Sequence, residues 1–307
     1  MDIFIQQLIN GLVLGSVYAL IALGYTMVYG ILELINFAHG EITMIGAMIS
    51  LTVIGTLTGT ALPAPLILLI GLLAAIAGCM VVGYTIERIA YRPLRTAPRL
   101  APLITAIGVS IVLQNVAMLI WGRQYLPFPP LLPQGWHNLL GARITDIQLI
   151  ILATAFGLML ALDALVSNSR LGRGMRATAQ SSQLVGLMGV NANQIISMTF
   201  IIGSALAAVG GFMVGAYYGL THYYMGFLLG LKAFSAAVLG GIGQIRGAML
   251  GGLLLGVIES LGAGYIGILT HGVIGSNYQD VFAFVVLIAV LIVRPSGLLG
   301  KPAVDRA

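Results

Sequence analysis

The chain has 307 residues, of which 59% are hydrophobic, 41 are glycine and only 23 are charged, 14 basic and 9 acidic, for a formal net charge of +5 and a mean hydropathy of +1.03. Soluble domains carry charge on about a quarter of their residues, so a charged fraction of 7% cannot coat a globule of this size. These figures exclude a water-soluble enzyme and leave an all-α, polytopic integral membrane protein.

The first residues, Met1-Asp2-Ile3-Phe4, carry no basic region. The apolar stretch after them runs to about Gly30, longer than a signal-peptide core, so it reads as a retained first helix. A bilayer crossing needs about 20 apolar residues. Candidate spans fall near 8–30, 42–60, 65–86, 101–121, 147–166, 195–219, 229–243, 247–268 and 279–293. The seventh is short and glycine-rich. It either crosses, giving nine spans, or re-enters, giving eight.

Arg88, Arg92, Arg95 and Arg99 share one loop; Arg170, Arg173 and Arg176 share another; Arg294, Lys301 and Arg306 follow the last span. The positive-inside rule puts these three segments, and the C-terminus, in the cytoplasm. Segment 122–146 has a different character, with four prolines between Trp121 and Trp136 as interfacial anchors, and reads as a proline-stiffened external loop. The connections are too short for a soluble catalytic domain, so residues 1–307 form one membrane domain.

Several chemistries lack their residues. The single cysteine, Cys79, permits no intrachain disulfide, and His39, His137, His222 and His271 lie too far apart in sequence for a helical metal-ligand pair. Leu231 and Pro302 flank Lys232 and Lys301 where a phosphate loop needs glycine and Ser/Thr, so no Walker A motif exists and the chain alone should not hydrolyse ATP. No cofactor or metal is expected. The arginines sit in short loops between apolar runs, a topology signal rather than a nucleic-acid one.

Glycines recur at four-residue spacing at Gly11/Gly15, Gly211/Gly215/Gly219 and Gly243/Gly247/Gly251. Such stripes either pack helix backbones closely or let helices slide during a transport cycle. Polar residues at membrane depth need partners or a function. Glu33, Asn36, His39 and Glu41 fall between the first two spans, either as a broken helix lining a cavity or as a turn at the interface with Asn36 as its cap. Ser235–Gly247, with Gly240, Gly241 and Gly243, interrupts a later hydrophobic stretch, and interrupted segments in both halves point to a transport pathway. Glu259 is either a structural ion-pair member or a proton relay. Gln114 and Asn115 either bond between helices or line the pathway. Asp163 lies at a span end, and Tyr217, Tyr218, Tyr223 and Tyr224 suit an aromatic belt. The tentative pathway set is Asn36, His39, Glu41, Gln114, Asn115, Gly241 and Glu259.

The inward segment 168–194 is the longest that can form a helix outside the membrane. Ala179, Leu184, Leu187 and Met188 give 175–188 an amphipathic pattern, and Gly189 suits a C-terminal cap. Such a helix either fills a groove on a cytoplasmic partner or rests on the membrane surface.

Several stretches together resemble the LivH-type permease of bacterial branched-chain amino acid ABC importers. They are Gly15-Ser-Val-Tyr-Ala-Leu through Gly30, Ile35-Asn-Phe-Ala-His-Gly-Glu41, Ile86-Glu-Arg-Ile-Ala-Tyr-Arg-Pro-Leu-Arg95, Lys232-Ala-Phe-Ser-Ala-Ala-Val-Leu-Gly-Gly-Ile-Gly243 and Arg294-Pro-Ser-Gly-Leu-Leu-Gly300. They occur in family order across nearly the whole chain. The resemblance implies a permease in the bacterial inner membrane that pairs with a second, homologous permease. It implies two ATP-binding subunits inside and a periplasmic binding protein that delivers leucine, isoleucine or valine. It assigns the ATPase contact to 168–194, with Arg176, Ala177, Gln180, Gly189 and Asn191. Gln180 and Ser181 stand where some relatives carry acidic residues. Related permeases serve urea, short amides or aromatic acids. An alternative of another class is an ion-coupled transporter with Glu41 and Glu259 as coupling sites.

Overall fold

The computed structural model describes residues 2–95, 97–98, 100–133, 135–139, 141–270 and 278–300. Arg99, His271, Lys301 and Arg306, and the side chain of Leu184, lie outside that set. The described chain is helical almost throughout. Helices α1 (Asp2–Leu32), α2 (His39–Leu57), α3 (Ala64–Ile86), α4 (Leu100–Trp121) and α5 (Asp146–Asn168) precede two short helices, α6 (Arg170–Gln180) and α7 (Ser182–Leu187). Then come α8 (Ala192–Tyr218), α9 (Met225–Gly240), α10 (Ile245–Leu269) and α11 (Gln279–Val293). Seven helices are long and apolar enough to cross a membrane, and α9 and α11 are shorter apolar helices.

Contacts between connections sort the bundle into two ends. At one, Arg95 bonds to Asn193 and Arg246 to Asp163. We call this the arginine end. At the other, the Gln6 side chain pairs with the Arg143 backbone. The 122–145 segment there is not wholly irregular. Strands β2 (Trp136–Leu139) and β3 (Ala142–Thr145) form a hairpin, and β1 (Leu126–Pro127) pairs with β4 (Leu220–Thr221). The Arg143 guanidinium lies over the Trp136 ring, 4.7 Å from its centroid.

The seventh span is the short helix α9. Helix α9 starts just after β4 at the hairpin end, and the Leu239 and Gly240 carbonyls at its other end accept from Leu298 and Leu299 N–H at 2.9 and 3.0 Å. Its first turns pack against the start of α2, where a Cβ on Gly226 would lie 2.6 Å from Gly40 O, while the start of α1 and the C-terminal segment lie at opposite ends. With 16 residues α9 is about 24 Å long, short of a full hydrocarbon layer.

Helix α1 is the axis. Its most apolar window is 89% buried, against 22% for α4 and α5. Lipid gives helices no hydrophobic reason to associate, so close van der Waals contact must hold them. The Gly11/Gly15 stripe meets Gly252 and Gly256 of α10. A Cβ on Gly256 would lie 2.2 Å from Gly15 N, and one on Gly15 would lie 2.8 Å from Gly252 O. Gly211 likewise seats α8 on α2, with a Cβ position 2.0 Å from Thr43 O. Gly219 differs from its stripe-mates: it ends α8 in the left-handed region (φ 69°), with open space at its Cβ position. In the third stripe, Gly247 and Gly251 close α10 onto α9, while Gly243 (φ 88°) turns the chain between them. Gly256→Ala should therefore lower the melting temperature and detergent-extracted yield sharply, whereas Gly157→Ala, with open space at its Cβ position, should leave both unchanged; thermal unfolding of the two purified variants checks this.

Candidate translocation site

Two polar clusters lie inside the bundle and a third at the arginine end. The first forms at the start of α2. Residues 33–38 break the helical run, and Glu33 adopts a left-handed φ of 54°. Asn36 Oδ1 accepts from Ala38 N–H at 3.1 Å and from the Tyr91 hydroxyl at 3.1 Å, while Ala38, the N-cap itself, supplies no side-chain bond. Asn36 thus organises the turn into α2, yet the turn is not at a surface: Asn36, His39 and Glu41 are all at most 2% exposed. His39 packs edge-on against Tyr25, ring centroids 4.8 Å apart, and touches Gly24 so closely that a Cβ there would meet its ring. Glu41 Oε1 accepts from Gln114 Nε2 at 2.7 Å and Ser110 Oγ at 3.1 Å, tying α2 to α4.

This cluster is under-satisfied. Asn36 Nδ2, His39 Nε2, Glu41 Oε2 and Thr43 Oγ1 are buried without hydrogen-bond partners among the described residues, as are, elsewhere, Thr26 Oγ1 on α1 and Ser204 Oγ on α8. Native interiors leave few such groups, and each one calls for a reason. The concentration of the first four around one helix start marks a place where the interior keeps unspent hydrogen-bonding capacity.

The second cluster is ionic. Lys232 Nζ lies 2.7 Å from Glu259 Oε1 and 2.7 Å from Asp280 Oδ1, and the Tyr18 hydroxyl donates to Glu259 Oε2 at 3.0 Å. It joins α9, α10, α11 and α1. Glu259 is therefore partnered, and it does not meet the first cluster. Sequence reasoning missed Tyr18, Lys232 and Asp280. The signal was present in Lys232, one of two lysines and the one set within an apolar run.

At the arginine end, α3 widens into a π-helical turn, Glu87–Tyr91, and a 3₁₀ turn, Arg92–Leu94. Glu87 is fully buried; it pairs with Arg95, lies 3.6 Å from Arg92 and accepts from Ser197 Oγ at 2.6 Å. Burial lowers the Arg95 pKa from its ordinary value, with Glu87 pulling it back up; a guanidinium stays charged throughout. Arg95 also donates to Asn193 Oδ1 at 2.6 Å, so α3 is fastened to the start of α8.

The 168–194 segment is two helices, not one. Ser181 is extended (φ −163°) and separates α6 from α7. Its N-terminus is capped by Ser169, which accepts from Gly172 N–H at 2.9 Å. Gly189 (φ 79°) ends α7 in a Schellman motif, with Val190 N–H bonded to Val185 O and Gly189 N–H to Gly186 O. Asn191 then caps α8 through Asn193 and Gln194 N–H. Arg176 donates to the Val166 and Ser167 carbonyls, binding the last turn of α5, so part of its donor set is used within the chain. Leu187 and Met188 are 85% and 82% exposed.

The remaining sequence candidates disperse. Asn115 is exposed and donates to its own helix, to Ile111 O at 2.8 Å. Gly241 (φ 107°) ends α9 against the C-terminal segment, where a Cβ would lie 2.5 Å from Gly300 N. Asp163 pairs in two-pronged fashion with Arg246, both bonds 3.1 Å. Tyr217, Tyr218, Tyr223 and Tyr224 gather at the hairpin end. The last turns of α1, just before the first interrupted segment, adjoin the second, since a Cβ on Gly30 would lie 3.3 Å from Gly243 O.

Across its length the sequence matches the family model described as "Branched-chain amino acid transport system / permease component", over residues 7–291. The chain belongs to this permease family. It is 50% identical over 99% of its length, and 98% of the relative's, to the high-affinity branched-chain amino acid transport system permease protein BraD of Pseudomonas aeruginosa. It is 46% identical, over 99% of its length and 97% of the relative's, to the corresponding protein LivH of Salmonella typhimurium. The permease is also 45% identical over 99% of its length and 97% of the relative's to LivH of Escherichia coli K12.

Within the permease, Lys232 bridges two carboxylates, so its loss is costlier than the loss of either acid. Lys232→Met should strand the buried Glu259 and the partly exposed Asp280 and cost about 3 kcal/mol, read as a large fall in melting temperature. Glu259→Gln keeps the Lys232–Asp280 pair and should be mild. The double variant should recover part of the Lys232→Met loss, and additive losses would show that the three groups do not act as a unit.

Proposed function

We propose that this permease is one of two homologous membrane subunits of an ATP-driven importer that carries leucine, isoleucine and valine into the bacterial cytoplasm. The 50% identity to BraD over 99% of the chain carries this reading. Two ATP-binding subunits at the arginine end supply hydrolysis, since the chain has no Walker A motif, and a periplasmic binding protein delivers substrate at the hairpin end. The arginine end, with the C-terminus, is cytoplasmic under the positive-inside rule.

The 168–194 segment receives the ATPase. Exposed Leu187 and Met188 supply an apolar contact, and Gly189 and Asn191 pass displacement directly into α8. Ala177 and Gln180 lie on α6 beside it, and Arg176 holds α6 to α5. Helix α8 leans on α2 at Gly211 and on Glu87 at Ser197, so its movement reaches the under-satisfied start of α2. There Asn36, His39, Glu41 and Gln114 border the pathway, and Gly241 is a hinge at its inner end. Asn115 contributes only across a subunit boundary. Glu259 is a structural charge: Lys232 already offsets it, which leaves an ion-coupled mechanism without its second site.

Gentle detergent extraction followed by identification of co-purifying chains tests the assembly. A second permease and nucleotide-binding subunits are expected; a clean homo-oligomer would sink it. Vanadate should stop uptake and an uncoupler should not. Gly189→Arg has open space around it but forces a side chain into the left-handed region. Uptake should fall to background while the protein still reaches the membrane; normal uptake would remove this segment from the mechanism.

A further inference from the structure

Beneath α6 lies a cavity of about 290 Å³, at the lower edge of the range for small-molecule pockets. Its walls are apolar along Met27, Ile31, Met175 and Ile245, and its polar side chains are Thr26, Arg176 and Gln180. Thr26 is 1% exposed, and its Oγ1 has no hydrogen-bond partner among the described residues. Arg176 spends two guanidinium contacts on Val166 and Ser167 carbonyls, out of five N–H donors. Among the described residues no acidic group lines this cavity. A second cleft of about 650 Å³ flanks α6 and shares Ile31, Ala179 and Gln180 with the first. Unfilled volume therefore adjoins α6 on more than one side, and a ligand in the smaller cavity would bridge it to α1.

We propose that this cavity is a binding site for a small carboxylate with a branched aliphatic tail, and that its occupancy braces α6 against α1 and slows transport. The tail lies along Met27, Ile31, Met175 and Ile245. The carboxylate takes free donors of Arg176, and the Thr26 hydroxyl serves a second polar atom of the ligand. An ion-paired carboxylate with an apolar tail is the chemistry these walls match. Free leucine and its 2-oxo acid, 4-methyl-2-oxopentanoate, both fit that description. The missing acidic group gives an ammonium no ion pair, so the oxo acid should bind at least as tightly as leucine. The choice of a branched tail and the braking effect rest on the proposed function; the cavity and its affinity for an apolar carboxylate do not.

The test is equilibrium dialysis of each radiolabelled compound against the purified chain in lipid nanodiscs. Saturable binding is expected. Thr26→Val should weaken it roughly five-fold, the effect of one hydrogen bond, and Ala179→Phe, which fills the cavity from an exposed position, should abolish it. Absence of saturable binding, or binding unchanged in Ala179→Phe, would overturn the site. Tighter binding of leucine than of the oxo acid would overturn the assigned polarity of the walls. In right-side-out vesicles holding the full assembly, preloading with the tighter ligand should depress initial uptake at least several-fold in the parent, and Thr26→Val should need roughly five-fold more ligand for the same depression. Equal sensitivity in both would overturn the brake while dialysis still judges the site. Uptake lost in Gly189→Arg but binding retained would separate the coupling role from the site.

Discussion

The glycines at 11, 15, 252 and 256 let the backbones of α1 and α10 touch, and that contact determines where the buried charges meet. It brings Tyr18 of α1 within hydrogen-bonding distance of Glu259 on α10, and Glu259 in turn holds Lys232 of α9. A charge in a low-dielectric bundle is tolerated only with partners. The small-residue seam and the ion cluster are thus two parts of one solution: close packing supplies the distance, and the ion cluster supplies polar contacts between helices that lipid does not press together.

Helix α11 shows the same logic at a margin. Among its buried residues are only Ala283 and Leu287, while Val285, Ile288, Ile292 and Val293 are exposed. It is fastened at one end by Asp280 to Lys232 and at the other by the Leu298 and Leu299 N–H groups on the last carbonyls of α9. Those carbonyls lack intrahelical donors at any helix end, so the C-terminal segment satisfies them and pins α11 to α9. Gly297 (φ 77°) makes the approach possible, since a Cβ there would lie 2.6 Å from Val238 O.

Polar satisfaction is uneven across the molecule. The Glu87 and Lys232 clusters are held by ion pairs, although Arg92 Nε, Arg95 Nε and Asp280 Oδ1 lack hydrogen-bond partners among the described residues, while the start of α2 has no ion pair there and leaves four buried polar atoms, on Asn36, His39, Glu41 and Thr43, unpaired. Ion-paired clusters resist rearrangement, and under-satisfied ones change partners at low cost. The proposed path of movement, from Asn191 along α8 to α2, runs between a rigid anchor at Glu87–Arg95 and this less committed region.

Composition and periodicity alone determined that the chain is a helical membrane protein, where most spans lie and which end carries the arginines, because hydrophobicity and charge act residue by residue along the chain. The cap at Gly189 and the Gly11/Gly15 stripe were legible for the same reason, being local in sequence. The break at Ser181 was not, because the amphipathic pattern continues through it and only backbone geometry reveals two helices. Pairing needed the fold: Lys232 meets Glu259 27 residues away and Glu87 meets Ser197 110 residues away. Asn115, beside Gln114 in sequence, faces outward because successive residues on a helix point about 100° apart. Tertiary structure alone decided which polar residues are neutralised and which remain unpaired, since that depends on which helices touch, and no single segment contains that information.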